Sequence, residues 1–540
     1  VSRRPAPADL RLLPPALAGW CAAWFGLALP LSATIAGAGA FLLLGVFGLA
    51  RSRSRIQGHP LDLEPAYVSV CTAMLVGAGF AASCALHLMA AEAGPVPDLA
   101  RHSAVVGAML TVTGDPRRIV SSRGQSSHAQ SGRPVPVWQQ QQDLLLIPAR
   151  MIELRDSDGT VAVRSLVTLF VYVDKHPRAA DQLWLDLLPS TEIAVRGKLV
   201  PAQPGTEEVA ELRANGPPTV LAGPSIQQRT SGALRADLRA AVAGLPAEPA
   251  GLLPALAVGD TSQEPPELAA AFKATGLTFL TVASGENLVF VAIALLPVVR
   301  WAGLRGRAVP LAGAALALGF TAVARPGPPM VRATVMALFA CGAKLTGRRF
   351  RALPVMAAAV LVLLWYDPWL AHAYGFVLSV AATAGLLVVA PGWYERLADR
   401  GVPRWIAGAA AATAAAELFC EPLLVTFTGQ LPLLAVLCNI AAVPAAPVAT
   451  VLGVLAMVGA AVWLPLGQAI AWLGQWPVRW ICLVAKTGAA APGAVLPWPR
   501  GALGGALLLT AYLVVGILRS TEFRQNVTKS GLDKQEARSI

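Results

Sequence analysis

Charged side chains are scarce in this chain. They make up 14% of its 540 residues, where soluble domains carry about a quarter. The shortfall excludes an ordinary water-soluble globule, because 55% of the chain is hydrophobic and its apolar runs recur at about twenty residues, the length that crosses a bilayer. Histidine is also sparse. His59, His87, His102, His128, His176 and His372 stand singly, so no metal site is expected at motif spacing. A GxxxxGK[ST] loop is missing, which excludes ATP hydrolysis by that route. The cysteines (Cys21, Cys71, Cys84, Cys341, Cys420, Cys438 and Cys482) all fall in apolar segments without ligand spacing, and they read as small packing residues. The sequence therefore points away from an enzyme, with no catalytic residue, metal or cofactor expected.

What is present reads as a polytopic α-helical membrane protein of about 10–12 spans with an inserted small β domain. Residues 1–94 form a three-span membrane segment: roughly Leu12 to Leu29, Ser32 to Ala50 and Tyr67 to Ala91. The first stretch follows Arg3, Arg4 and Arg11 and has no convincing cleavage site, so it is expected to be a retained anchor. The positive-inside rule places this N-terminus and the Arg51, Arg53, Arg55 loop in the cytoplasm. Three crossings then put residues 95–225 outside.

Over 95–225 the texture changes to short β-rich stretches: Ala104–Thr113, Leu144–Arg155, Thr160–Val173, Thr191–Val200 and Thr219–Leu221. The Asp156–Gly159 turn suggests a hairpin, and a Ser-, Gly- and Gln-rich loop is expected over Ser121 to Gln142. This strand count suits a small barrel or sandwich, with an OB-like barrel leading. The chain's net charge of +12 does not mark the domain as basic, since 13 basic and 13 acidic residues lie between Asp98 and Ser225. The excess sits in loops beside apolar runs, as in other membrane proteins.

Residues 226–275 read as amphipathic interfacial helices, with Arg235 and Arg239 on one face of the first. Residues 276–519 form a second bundle of membrane helices, and 520–540 a polar, disordered tail. Two further basic clusters, Arg300, Arg305, Arg307 and Lys344, Arg348, Arg349, Arg351, agree with the sidedness set by the first three spans. The segment 431–462 is long for one straight crossing and carries Pro444 and Pro447, so it is either one broken helix or two short ones.

Polar groups at membrane depth are costly and usually face a cavity, a partner or a pathway. Ser284, Gly285, Glu286 and Asn287 suggest locally opened backbone along a pathway; a helix cap or a helix contact through Gly285 is the alternative. Arg332 either lines the same route or anchors at the interface. Asp367 reads as a cap or turn at a helix start. Glu417 and Glu421, one turn apart, share a helix face. Gln430 and Asn439 are placed to hydrogen-bond across helices.

The order of these residues resembles the ComEC competence family. Gly251-Leu-Leu and Gly259-Asp260 precede Phe272, Gly276-Leu277, Leu280 and Ala283-Ser284-Gly285, matching that family's "GLL…GD" and "FxxxGLxHLLAVSG". Arg332-Ala333, Asp367-Pro368, Gly375-Phe376, Leu378-Ser379 and Leu437-Cys-Asn439…Pro444 continue the match. The resemblance implies a bacterial inner (plasma) membrane channel that admits single-stranded DNA to the cytoplasm during natural transformation. Its pathway would use Ser284, Gly285, Glu286, Asn287, Arg332, Glu417, Glu421 and Asn439. Its outer domain would contact DNA through Trp138, Arg196 and Lys198. Phe170, Tyr172 and Trp184 either stack on bases or fill the core, and the core is favoured. Glu286-Asn287 stand where many relatives carry a His, and a negative charge fits a phosphate path only when protonated, paired or turned away. The sequence shows no His-x-His-x-Asp-His nuclease motif, so a separate nuclease is expected, with a DNA receptor and a cytoplasmic ATPase. A permease for another polymer or small solute, or a scaffold recruiting a nuclease or ATPase, are the other readings.

Overall fold

The computed structural model describes residues 11–55, 64–119, 142–156, 159–174, 179–203, 205–281, 284–325 and 327–515. Trp138, most of the expected Ser121 to Gln142 loop and the 520–540 tail lie outside the described residues. The chain is mostly helical and divides into two units. One comprises Val1–Asp237, Gly306–Ala324 and Thr334–Ala373; the other comprises Leu238–Arg305, Arg325–Ala333 and Tyr374–Ile540.

The first unit contains a small sheet region: β1 (Val105–Val112), β2 (Arg117–Ile119), β3 (Gln142–Asp156), β4 (Gly159–Asp174), β5 (Glu192–Pro201) and β6 (Ala210–Ala222). The strands pair in the order β1-β5-β6-β4-β3-β2, and β1 also pairs with β3, so five of them join in a ring. β4 and β6 run parallel, from Val167 opposite Ala210 to Phe170 opposite Arg213. The other pairs are antiparallel. Alternation along each strand explains the core, because successive side chains point to opposite faces. Leu110, Leu145, Ile147, Leu169, Ile193 and Leu212 turn inward and are fully buried together. Trp184 joins this core, as expected, but Tyr172 does not. It stands 52% exposed, because it alternates with the buried Val171 and Val173. Gly197 faces the Arg213 carbonyl so closely that a Cβ would collide with it, which lets β5 and β6 pair there.

The same unit holds the N-terminal helices Leu13–Ala28, Leu31–Arg55 and Glu64–Glu92. Gly19 admits the Phe80 ring, which meets Trp365 edge-on at 5.6 Å. The Ile226–Val242 helix begins here. Its Arg235 is buried rather than displayed on a polar surface: it donates to the Val323 carbonyl at 3.2 Å and lies 3.8 Å from Asp115. A buried guanidinium needs such partners.

In the second unit the Ala247–Val258 helix forms part of the core. Its Leu252, Leu253 and Leu256 are buried, and Gly453 of the Ala446–Val462 helix approaches its Ala257. This part of the expected interfacial segment therefore sits inside the bundle, because from Pro249 to Val258 it carries no polar side chain. Segment 431–462 resolves into β7 (Gln430–Pro432), the Ala435–Ala442 helix, a short 3-10 turn over Val443–Ala445 and the Ala446–Val462 helix. Pro444, which lacks an N–H, sits at the break. β7 pairs with β8 (Val495–Pro497), so Gln430 belongs to a strand ladder rather than a helix contact.

By length and composition, three helices suffice to cross a membrane among the described residues: Ser69–Glu92, Arg404–Thr428 and Ala435–Val462. The pair Tyr374–Val388 and Ala390–Asp399, bent by 42°, makes a fourth if it is one span. Six apolar helices, Leu13–Ala28, Leu31–Phe47, Ala247–Val258, Ala308–Val323, Ala352–Tyr366 and Ala502–Val515, are shorter than that. Proline and glycine turns cut the apolar runs to these lengths.

Candidate functional site

Ser284 has extended backbone and precedes the Gly285–Trp301 helix. Its Oγ accepts from the Asn287 N–H at 3.4 Å, satisfying a donor that the first helical turn leaves free. The Ser-Gly pair is therefore a helix start, and Glu286 lies exposed in that first turn, where a carboxylate suits the helix dipole. Asn287 is buried, and its Nδ2 donates to the Leu256 carbonyl at 3.0 Å. Thr450 Oγ1 donates to the same carbonyl at 3.2 Å. That oxygen is available because it lies in the last turn before Gly259, whose φ of 73° ends the helix.

Gly285 packs directly on Ala333; any Cβ at 285 would collide with the Ala333 methyl. Arg332, one residue earlier, is 6% exposed. Its Nε and Nη2 both donate to Ser379 Oγ, at 3.0 and 2.8 Å. Ser379 lies on the Tyr374–Val388 helix. That helix meets the Arg404–Thr428 helix where Gly385 admits the Ala415 carbonyl and Cys420 Sγ donates to the Leu378 carbonyl at 3.4 Å. On the second helix, Glu417 Oε1 accepts from Asn439 Nδ2 at 2.7 Å. Glu421, one turn on, is also buried. Its Oε1 and the Oδ1 of Asn439 have no hydrogen-bond partner among the described residues.

Asn439 lies one turn beyond Ala435, and Ala435 faces Gly276 with 2.8 Å left for a Cβ. The contacts thus return to the segment that leads into Ser284. Gly276 to Ala435, Gly285 to Ala333, Arg332 to Ser379, Leu378 to Cys420 and Glu417 to Asn439 form a ring of helix contacts. All eight residues expected on a pathway lie on elements of this ring.

A buried ion cluster escaped the sequence reasoning. Asp260 is 1% exposed and receives Arg239 Nη1 at 2.8 Å, with Arg325 Nη2 at 3.7 Å. The Ser262 N–H donates to its Oδ1 at 3.1 Å. Burial alone pushes the carboxyl up, but Arg325, the Ser262 hydrogen bonds and Arg239 together hold it below the ordinary aspartate value. The available signal was Gly259-Asp260 ending an apolar helix, while Arg239 and Arg325 lie far along the chain. In the sheet region Arg196 and Lys198 are both exposed on the outer face of β5.

Residues 256–523 match the family model described as Competence protein. No curated protein and no solved structure matches the chain. The matched segment contains all eight ring residues and begins at Leu256, whose carbonyl anchors Asn287.

Proposed function

Since the chain belongs to the Competence protein family through residues 256–523, we propose that it is a bacterial inner-membrane channel for single-stranded DNA, acting in natural transformation. It crosses the bilayer about ten to twelve times in this reading, with the sheet region outside. The observation that carries the reading is the ring of helix contacts within the family segment, which gathers Asn287, Arg332, Glu417, Glu421 and Asn439. Buried polar groups are costly in membranes and mark routes for polar cargo. The ring strands with one parallel pair support an OB-like barrel: the order β1-β3-β4-β6-β5 and back to β1 is that of a closed five-stranded Greek key. Such barrels are platforms for single strands.

One observation favours a second reading. Of the eight pathway residues, Glu286, Glu417 and Glu421 are carboxylates and Arg332 is the one cation, and an acidic route suits a cationic or neutral solute better than DNA. Uptake measured in a transformable host separates the two. Deleting the gene should abolish nuclease-protected internal DNA and leave surface-bound DNA unchanged; normal internalisation would rule out the DNA reading.

A further inference from the structure

We infer that the buried oxygens of Glu421 and Asn439 form a binding site for an alkali cation, sodium or potassium, within the second unit. The site stands whatever cargo the channel carries, because it is built from side chains and backbone of this chain alone.

The Arg404–Thr428 and Ala435–Ala442 helices build it. Glu417 and Glu421 are one turn apart, so their side chains share a face of the first helix. Glu417 Oε1 accepts from Asn439 Nδ2 at 2.7 Å. A carboxylate only accepts, so the amide must turn its nitrogen to Glu417 and its oxygen away. That oxygen stays on the same planar amide, about 2.3 Å from the nitrogen, and so remains beside the glutamates. Asn439 is 1% exposed and Glu421 6%. Neither Asn439 Oδ1 nor Glu421 Oε1 has a hydrogen-bond partner among the described residues. Pro422 adds a further oxygen. It lacks an N–H, so the Leu418 carbonyl four residues back loses its helical donor. The Ala502–Val515 helix packs on the same stretch: Gly505 approaches the Pro422 carbonyl, and Tyr512 lies within electrostatic reach of both glutamates.

These unsatisfied atoms are all oxygen acceptors, and the donors beside them are engaged: Asn439 Nδ2 with Glu417, and Cys420 Sγ with the Leu378 carbonyl. No lysine, arginine or histidine pairs with Glu417 or Glu421 among the described residues. Buried acceptors without a donor are unfavourable in apolar surroundings, and a cation between them removes that penalty. Hard cations take carboxylate, amide and backbone carbonyl oxygens, and freed carbonyls at broken membrane helices hold sodium in transporters. A divalent ion fits less well. Calcium takes about six to eight oxygens and magnesium keeps several waters, whereas no three His, Cys, Asp or Glu side chains are grouped to hold a metal among the described residues. A monovalent ion needs one anionic ligand, Glu421. Glu417 is then a positioning residue that aims Asn439 Oδ1. A strand of phosphates passing Glu421 would meet an ion pair in place of a bare carboxylate.

The test uses the full chain in lipid nanodiscs, with radioactive sodium and with thermal midpoints in sodium, potassium, magnesium or choline chloride at equal ionic strength. The parent's midpoint should rise in an alkali chloride over choline, whose cation is too large for the site. Either alkali ion upholds the site, and the one that displaces the other at lower concentration is the occupant. Glu421→Gln and Asn439→Leu should each weaken binding about tenfold or more, as should Glu417→Leu, which frees the amide. Glu417→Gln should keep the site, since its amide oxygen still accepts from Asn439. Glu395→Gln, at an exposed carboxylate elsewhere, should bind as the parent does. Equal midpoints of the parent in alkali and choline chlorides, with no saturable sodium binding, overturn the site without recourse to any variant. Stabilisation by magnesium alone overturns it too, as does unchanged binding in both Glu421→Gln and Asn439→Leu. If no alkali cation binds while gene deletion still abolishes uptake, the site is wrong and the channel reading stands. If the cation binds through these residues but deletion leaves uptake normal, the channel reading falls and the site stands.

Discussion

The sheet region and the family segment hide opposite kinds of side chain. In the sheet region Leu110, Leu145 and Leu212 are buried while Arg196, Lys198 and Tyr172 face outward. In the family segment Asn287, Arg332, Glu421 and Asn439 are buried, while Trp472, Trp476, Trp480 and Leu483 are exposed. Each region turns outward the groups its surroundings accept. Water takes charges and excludes leucine; a bilayer does the reverse, and polar groups then gather inside with their partners. The contrast teaches that polarity of the interior, more than hydrophobicity of the chain, separates the two regions.

The contrast is sharpest at Asp260. Asp260→Asn removes a buried charge from between Arg239 and Arg325 and should cost about 3–5 kcal/mol, read as a lower thermal midpoint in detergent. The aspartate's folded value is depressed, so its contribution is fully present above about pH 4 and fades as pH falls below that value. An acid titration of the midpoint should show this loss in the parent and not in the variant. In the sheet region the costly changes are apolar: Leu145→Ala should cost about 2–5 kcal/mol, while Tyr172→Ala should stay within about 0.5 kcal/mol. Equal costs for the two would break the comparison.

Gly285→Val forces the helix away from Ala333 and should cost about 1–3 kcal/mol, seen as reduced stability of the purified protein. Asn287→Ala leaves the Leu256 carbonyl with Thr450 alone and should cost about 1–2 kcal/mol. The smallest effect is expected from Glu417→Gln, whose amide oxygen still accepts from Asn439. Its thermal midpoint should match the parent's, and a large drop would show that the charge itself is needed.

Much of this architecture was legible because it is periodic. Alternation located β1, β3, β4 and β5 to within a residue or two, and apolar runs located most helices. β6 was read only at its end, since Gly216-Pro217-Pro218 looks like a turn. The strand instead carries those residues through an irregularity, with Gly216 at φ 82° and a register shift between Ala194 and Arg196 of β5. The ring residues were legible as polar groups in apolar surroundings. Their partners were not, because Arg332 and Ser379, or Asp260 and Arg325, meet only through tertiary packing. Arg235 was misread for the same reason: its helix is amphipathic, but the partner of its polar face is Val323 and Asp115 rather than water.

The central claim is that the ring of buried polar residues lines the route of the strand. A photo-crosslinking side chain placed at Glu421 or Ser379, and separately at the exposed Leu483, tests it during uptake of labelled DNA. The account predicts DNA adducts at positions 421 and 379 and none at 483. Adducts at 483 alone, or none at the ring positions while DNA still enters, would contradict it.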